Sequence, residues 1–179
     1  MSCRRVPVAG FDEDFADFYS ARFDVALRTA YALCGDWVEA EELAQGSFVR
    51  LYPKWPRVAG GNADGYLRTT LVRLFLDARR RGRAKERLVA ETPEWPEHSR
   101  DLARVDEQQS LLAALQSVPP RQRATLVLRI VHDLPVEQVA KVLRCSTGTV
   151  KSQLSRGIQA LRVAYRDAGT PERSVRDVG

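Results

Sequence analysis

The sequence has no run of eighteen apolar residues, the length at which a segment reads as a membrane span. Its first fifteen residues, MSCRRVPVAGFDEDF, lack the apolar centre of a secretory signal. Only three cysteines occur, Cys3, Cys34 and Cys145, odd in number and far apart, so neither a disulfide framework nor a zinc site is expected. That usage fits reducing cytoplasm, with Cys34 and Cys145 expected as small packed residues. The two histidines, His98 and His132, have no partners at ligand spacing and are expected at surface or turn positions. There is no Walker-type glycine loop, no H-E-x-x-H and no Ser/His/Asp set, so catalysis, a cofactor and a metal are not expected.

What is present is 179 residues with 44% apolar and 28% charged side chains, the balance of a soluble globular chain of one large or two small domains. The formal net charge of +5 points only weakly to a polyanionic partner.

The most informative stretch is Pro135 to Leu161, PVEQVAKVLRCSTGTVKSQLSRGIQAL. Val136, Val139, Ala140 and Leu143 recur at i, i+3, i+4 and i+7, the apolar face of a first helix, with Pro135 suited to its first position. Ser146 or Thr147 is placed to cap a second helix, on which Val150, Leu154, Ile158 and Leu161 form the expected buried stripe. Lys151, Ser152, Ser155 and Arg156 then fall on the other side. Two helices joined by so short a turn read as a helix-turn-helix, whose second helix meets the major groove. Between Pro119 and Ala168 nine basic residues face three acids, a balance of +6. The charge favours a DNA-binding motif over an ordinary helical hairpin with a solvated face.

The rest of the chain alternates in charge. Phe15, Phe18, Tyr19, Phe23, Ala26, Leu27, Ala30, Tyr31 and Leu33 predict one helix over 11–33, which Gly35 ends and after which Asp36 caps the next. That next helix, about Trp37 to Lys54, buries Ala40, Leu43, Ala44, Phe48, Leu51 and Tyr52, with Glu39, Glu41, Glu42, Gln45 and Arg50 around the other face. From Phe11 to Val58 nine acids oppose five bases, so this half does not read as a DNA surface. Residues 57–65 read as a loop, followed by a helix from Tyr66 to about Arg81 with Leu67, Leu71, Leu74, Phe75 and Ala78 inward. It runs into Arg79, Arg80, Arg81, Arg83, Lys85 and Arg87, a solvated charge run or a second polyanion surface. Residues 88–105 read as an acidic, proline-containing linker, and helices over about 106–117 and 121–131 lead into the helix-turn-helix.

In this order the segments resemble the extracytoplasmic-function (ECF) sigma factors of the bacterial sigma-70 family. The resemblance rests on GDWVEAEELAQGSFVRLYPKW and on VPPRQRATLVLRIVHDLPVEQVAKVLRCSTGTVKSQLSRGIQALR, and covers about Phe11 to Arg166. It implies an all-α protein of two small helical domains: sigma region 2 over 11–87, a flexible acidic linker over 88–105, and sigma region 4 over 106–168. It implies core RNA polymerase as a partner, with its clamp coiled coil against Asp36, Glu39, Glu42, Gln45 and Phe48 and its flap as a further contact. It implies promoter DNA as the other partner. Arg68, Arg73, Arg79, Arg80 and Arg81 would serve the −10 element, and Thr149, Lys151, Ser152, Ser155 and Arg156 the −35 element. An anti-sigma factor is a further candidate partner in this family.

Four positions depart from the family pattern. Gly46 replaces a glutamate in the docking helix, Arg73 an asparagine in the −10 helix, Arg144 a glycine in the helix-turn-helix turn, and Gln153 a frequent arginine. The competing readings are a stand-alone helix-turn-helix regulator and a sigma-like regulator without promoter-opening activity. The first leaves the acidic helix and the second basic run without roles, and no separate dimerisation helix is present for it.

Overall fold

A computed structural model describes residues 9–88 and 107–169, and the side chains of 12–82 and 109–167. The expected linker over 88–105 therefore lies almost wholly outside the described residues, as do His98 and Cys3. Every described element is a helix or a turn, and the residues fall into two compact units divided between Ala78 and Arg79.

In the first unit α1 runs from Ala9 to Cys34 and α2 from Trp37 to Leu51. The break between them is made as its residues dictate. Gly35 takes φ 78°, open to a residue without Cβ, and its N–H bonds Tyr31 O at 2.8 Å. Asp36 then caps α2, its carboxylate accepting from Glu39 N–H at 2.8 Å. Helix α2 ends at Leu51, but the chain stays helical through the two prolines that follow. Pro53 and Pro56 each stand in the first turn of a new short segment, a 3₁₀ turn over Tyr52–Lys54 and α3 over Trp55–Val58, where their missing N–H groups cost no hydrogen bond. The expected loop over 57–65 shortens accordingly, because α4 begins at Ala63 and runs to Leu88. The side chain of Asn62 accepts from Gly65 N–H at 3.0 Å, the capping signal that the glycine-rich composition had concealed.

An aromatic cluster holds α1 against α2 and α3. The ring of Phe48 lies 4.7 to 6.4 Å from those of Phe15, Phe18, Tyr19 and Phe23, and Trp55 stands 4.8 Å from Phe18. Most of these rings meet tilted or edge-on, the arrangement their quadrupoles favour. Helix α4 adds Leu67, Leu71, Val72, Leu74 and Phe75 to the core, and Arg22 of α1 pairs with Asp64 of α4 at 2.7 Å.

The second unit contains α5 (Glu107–Ser117), α6 (Pro120–Leu126), a π turn over Val127–Val131, α7 (Val136–Leu143) and α8 (Thr147–Gly169). The expected helix over 121–131 is thus α-helical only in its first half. Leu126, Val127 and Leu128 are buried, whereas Ile130 and Val131 face solvent. Pro135 is the N-cap of α7 rather than its first residue, and its carbonyl accepts from Gln138 and Val139. Helices α5, α6 and α7 all pack on α8. Where α6 meets α8, a Cβ on Gly157 would stand 3.2 Å from the Leu126 side chain, tighter than an ordinary contact, so a larger residue would require Leu126 to shift.

Three of the unit's arginines bond backbone carbonyls, Arg123 buried, Arg129 half-buried and Arg121 exposed. Arg123 is buried and donates to the carbonyls of Val118 and Gln116 and to the Gln116 side chain, closing the end of α5. Arg129 donates to Leu134 O, and Arg121 to Leu143 O at 3.1 Å. Of the three only Arg123 is withdrawn from the surface, and Arg121 stays exposed with its charge.

Candidate functional site

Helix α2 has two faces of opposite use. Ala40, Leu43, Ala44, Ser47, Phe48 and Leu51 are buried. On the far side Val38, Glu42, Gln45, Val49 and Tyr52 recur at i, i+4, i+7, i+11 and i+14 and are all exposed, Val38 by 70% and Val49 by 72%. A stripe spaced four, three, four, three is the seam one helix offers another in knobs-into-holes packing. Gln45, Val49 and Tyr52 also wall a 390 Å³ groove whose other wall is Phe15 and Tyr19 of α1 and whose floor is Phe48. Tyr52 is held there by its hydroxyl, which donates to Asp12 Oδ1 at 2.7 Å. That hydrogen bond raises the phenol pKa above its ordinary value, with burial and the Asp12 charge acting in the same direction.

The expected docking residues are thereby sorted. Glu42 and Gln45 stand on the stripe. Asp36 is exposed but its carboxylate caps the helix, and half-buried Glu39 lies off the seam. Phe48, placed by the family resemblance at or near a contact, is only 2% exposed and is a core residue. Val38 and Val49 were missed, although their spacing opposite the buried face was readable in the sequence.

Helix α4 presents its arginines unevenly. Arg80 and Arg81 are exposed, while Arg68, Arg73 and Arg79 are half-buried. Arg68 has its Nε buried without an acceptor among the described residues, so that nitrogen is turned from solvent.

In the second unit Ser146 caps α8, its Oγ accepting from Thr149 N–H at 3.1 Å and lying 2.9 Å from the Thr149 hydroxyl. Lys151, Ser152, Ser155 and Arg156 are exposed along the first turns of α8, and Thr149 is half-buried at its start. The expected stripe on the opposite side is complete only at Val150, since Leu154, Ile158 and Leu161 are half-buried. Arg144 closes α7 in the left-handed region at φ 51°, ψ 57°, a conformation that costs a non-glycine residue about 1–2 kcal/mol. Exposed Lys141, Arg144, Lys151, Arg156, Arg162 and Arg166 carry the cationic surface of α7 and α8.

Two family models match the chain, Sigma-70 region 2 over residues 18–85 and Sigma-70, region 4 over residues 108–161. The RNA polymerase sigma-E factor of Streptomyces coelicolor is 31% identical over 150 residues, covering 83% of this chain and 84% of the relative. The chain belongs to the ECF sigma factors of the sigma-70 family. The ECF RNA polymerase sigma factor SigE of Mycolicibacterium smegmatis is 36% identical over 148 residues, which are 78% of this chain and 56% of that relative, so this sigma factor spans little more than half of SigE. The fold is shared with the sigma factor RpoE from Bartonella quintana, solved in complex with the anti-sigma factor NepR. There the TM-score is 0.68 at 24% identity, covering 86% of this chain and 98% of that one. The family consists of transcription initiation factors that act with RNA polymerase in promoter-specific initiation. Among the described residues no helix is long and apolar enough to cross a membrane.

Proposed function

We propose that this sigma factor binds core RNA polymerase through the outward stripe of α2 and carries it to promoters having −10 and −35 elements. The observation that carries the reading is one chain displaying two unlike surfaces: an acidic helix with a heptad seam, and a helix-turn-helix with an outward cationic helix. Val38, Glu42, Gln45 and Val49 take the clamp coiled coil, with the groove beside Tyr52 receiving one of its side chains. Asp36 and Phe48 position that helix, and Glu39 borders the contact. Lys151, Ser152, Ser155 and Arg156 read base edges of the −35 element in the major groove, each good contact being worth about 1–3 kcal/mol of discrimination. Thr149 holds the start of the reading helix.

Arg80 and Arg81, with Arg73 beside them on α4, hold the −10 strand while the duplex opens. Arg68 and Arg79, half-buried, support that helix. Extruding a base there costs a few kcal/mol of stacking, offset by pocket and phosphate contacts. The working domains are 11–87 and 106–168, joined by the acidic segment 88–105. Polymerase supplies the chemistry and this chain none, with the cytoplasm as the place of action. The solved complex of RpoE with NepR supports an anti-sigma factor as a further partner.

Run-off transcription from a genomic promoter library, with core polymerase and with or without this chain, tests the reading. New transcripts sharing two spaced elements are expected. Core binding without transcripts would favour a sigma-like regulator, and DNA binding without core binding a stand-alone regulator. In the same assay V38E/V49E is expected to weaken core binding at least about tenfold, because charge is depleted from the centre of protein interfaces. Binding equal to wild type by a folded variant would remove the stripe from the contact.

A further inference from the structure

The turn of the helix-turn-helix is built on an unfavourable residue. Arg144 sits left-handed between α7 and α8 where glycine would fit without strain, and such a conformation persists only when its surroundings fix it. Three local contacts help to fix it. Arg144 N–H and Cys145 N–H both reach Ala140 O, and Ser146 caps α8. The fourth contact comes from far away in sequence. Arg121, in the first turn of α6, donates its Nη2 to the carbonyl of Leu143, the residue just before the left-handed one. That carbonyl belongs to the last turn of α7, where oxygens lack helical partners and where the helix dipole favours a cation.

Helix α6 thereby holds both sides of the turn. It grips the end of α7 through Arg121, and it grips α8 through Leu126 packed over Gly157. The path of α8 out of the turn is set between these two points, and that path decides where its polar face meets a groove.

We infer that Arg121 is a positioning residue for −35 recognition: by anchoring the Leu143 carbonyl it fixes the angle at which α8 presents Lys151, Ser152, Ser155 and Arg156 to the bases. This rests on the promoter reading above. An exposed arginine on this surface has one evident rival role, a contact to a DNA phosphate, and the two roles leave different signatures. Loss of a phosphate contact weakens binding to all sequences alike and lowers the salt slope by about 0.9. Loss of a positioning contact lowers discrimination between sequences and leaves the slope in place.

The experiment uses holoenzyme reconstituted with the full chain. Its probe is a promoter found by the run-off screen, compared with the same fragment carrying a scrambled −35 element. R121M is expected to reduce the ratio of the two affinities by about 5- to 10-fold, within the range of one good base contact. The slope of log affinity against log salt on the scrambled fragment should not change. R121K, whose ammonium can reach the same carbonyl, should restore most of the ratio. An unchanged ratio in R121M, or uniform weakening with the slope reduced by about 0.9, would overturn the inference. Should R121M fail to fold, R121Q, with a shorter side chain, takes its place with the same expected result. Indifference of the wild-type holoenzyme to the scrambled −35 element would instead overturn the promoter reading on which Arg121 was placed.

Discussion

The two units solve the same problem, a small helical core, with different chemistry. The first is joined by rings: Phe15, Phe18, Tyr19 and Phe23 of α1 close on Phe48 and Trp55. The second has an aliphatic core of Leu126, Val127, Leu128, Val139, Leu143 and Val150, and its helix ends are closed by arginine on carbonyl. The difference follows each unit's surface. Aromatic packing on one face of α2 leaves Val38, Glu42, Gln45, Val49 and Tyr52 outward on the other. In the second unit arginines of α6 and the π turn tie backbone carbonyls, while α7 and α8 display further cations. Basic composition and basic surface are therefore separate properties, and only the structure divides one from the other.

Phe48→Ala should have the largest effect, because the ring touches four others and is buried at the base of the α1–α2 groove. Loss of about 3–5 kcal/mol is expected from the missing burial and the cavity. Hydrogen exchange resolved by helix should show α1 and α2 losing more protection than α7 and α8. Equal loss in both would mean that the two units unfold as one and would break the contrast between them. Polymerase binding should fall with the fold in F48A, but with the fold intact in V38E/V49E, which separates packing from contact.

Much of this was legible in the sequence. Helical spacing of apolar residues gave α1, α2, α4, α7 and α8, and local capping signals placed Gly35, Asp36 and Ser146. The five expected −35 residues share the start of α8, with only Thr149 drawn partly inward. What the sequence concealed depends on partners distant along the chain. Phe48 matches a docking motif, yet rings from another helix bury it. Arg121, Arg123 and Arg129 count as charge in composition, yet each has found a carbonyl. The π turn could not be read either, since Val127 to Val131 has ordinary helical spacing until its last residues point outward. The helix start at Ala63 was hidden because Asn62, Gly60 and Gly61 read together as loop, although the asparagine is a cap.

Two glycines give a finer contrast. Gly46 of α2 departs from the family pattern, and a Cβ there would stand 3.6 Å from Leu74, an ordinary contact. Gly46→Ala is expected to stabilise the first unit by about 0.5–1 kcal/mol through helix propensity. Gly157 is also helical, but its Cβ would stand 3.2 and 3.3 Å from two carbons of Leu126, itself fully packed. Gly157→Ala is therefore expected to destabilise by about 1–3 kcal/mol despite the same gain in propensity. Urea midpoints of the two variants should move in opposite directions. A shift of the same sign would mean that α8 is free to move off α6, and with it the bracing assigned to Leu126 and Gly157.

The smallest effect is expected at Tyr52, where the first unit's seam meets a titrating group. Its hydrogen bond to Asp12 raises the phenol pKa in the folded protein, so the folded chain holds that proton more tightly than the unfolded one. The contribution is fully present below the unfolded tyrosine pKa, near 10, and is lost as pH rises through the higher folded value. Wild type should therefore be more resistant to urea than Y52F at pH 7, with the gap closing above about pH 10 as the phenolate forms beside the carboxylate. A gap that stays constant with pH would assign the difference to packing around the ring instead. Polymerase affinity at pH 7 should be the same for both, because the phenylalanine ring keeps the wall of the groove and only the hydroxyl, already committed to Asp12, is removed.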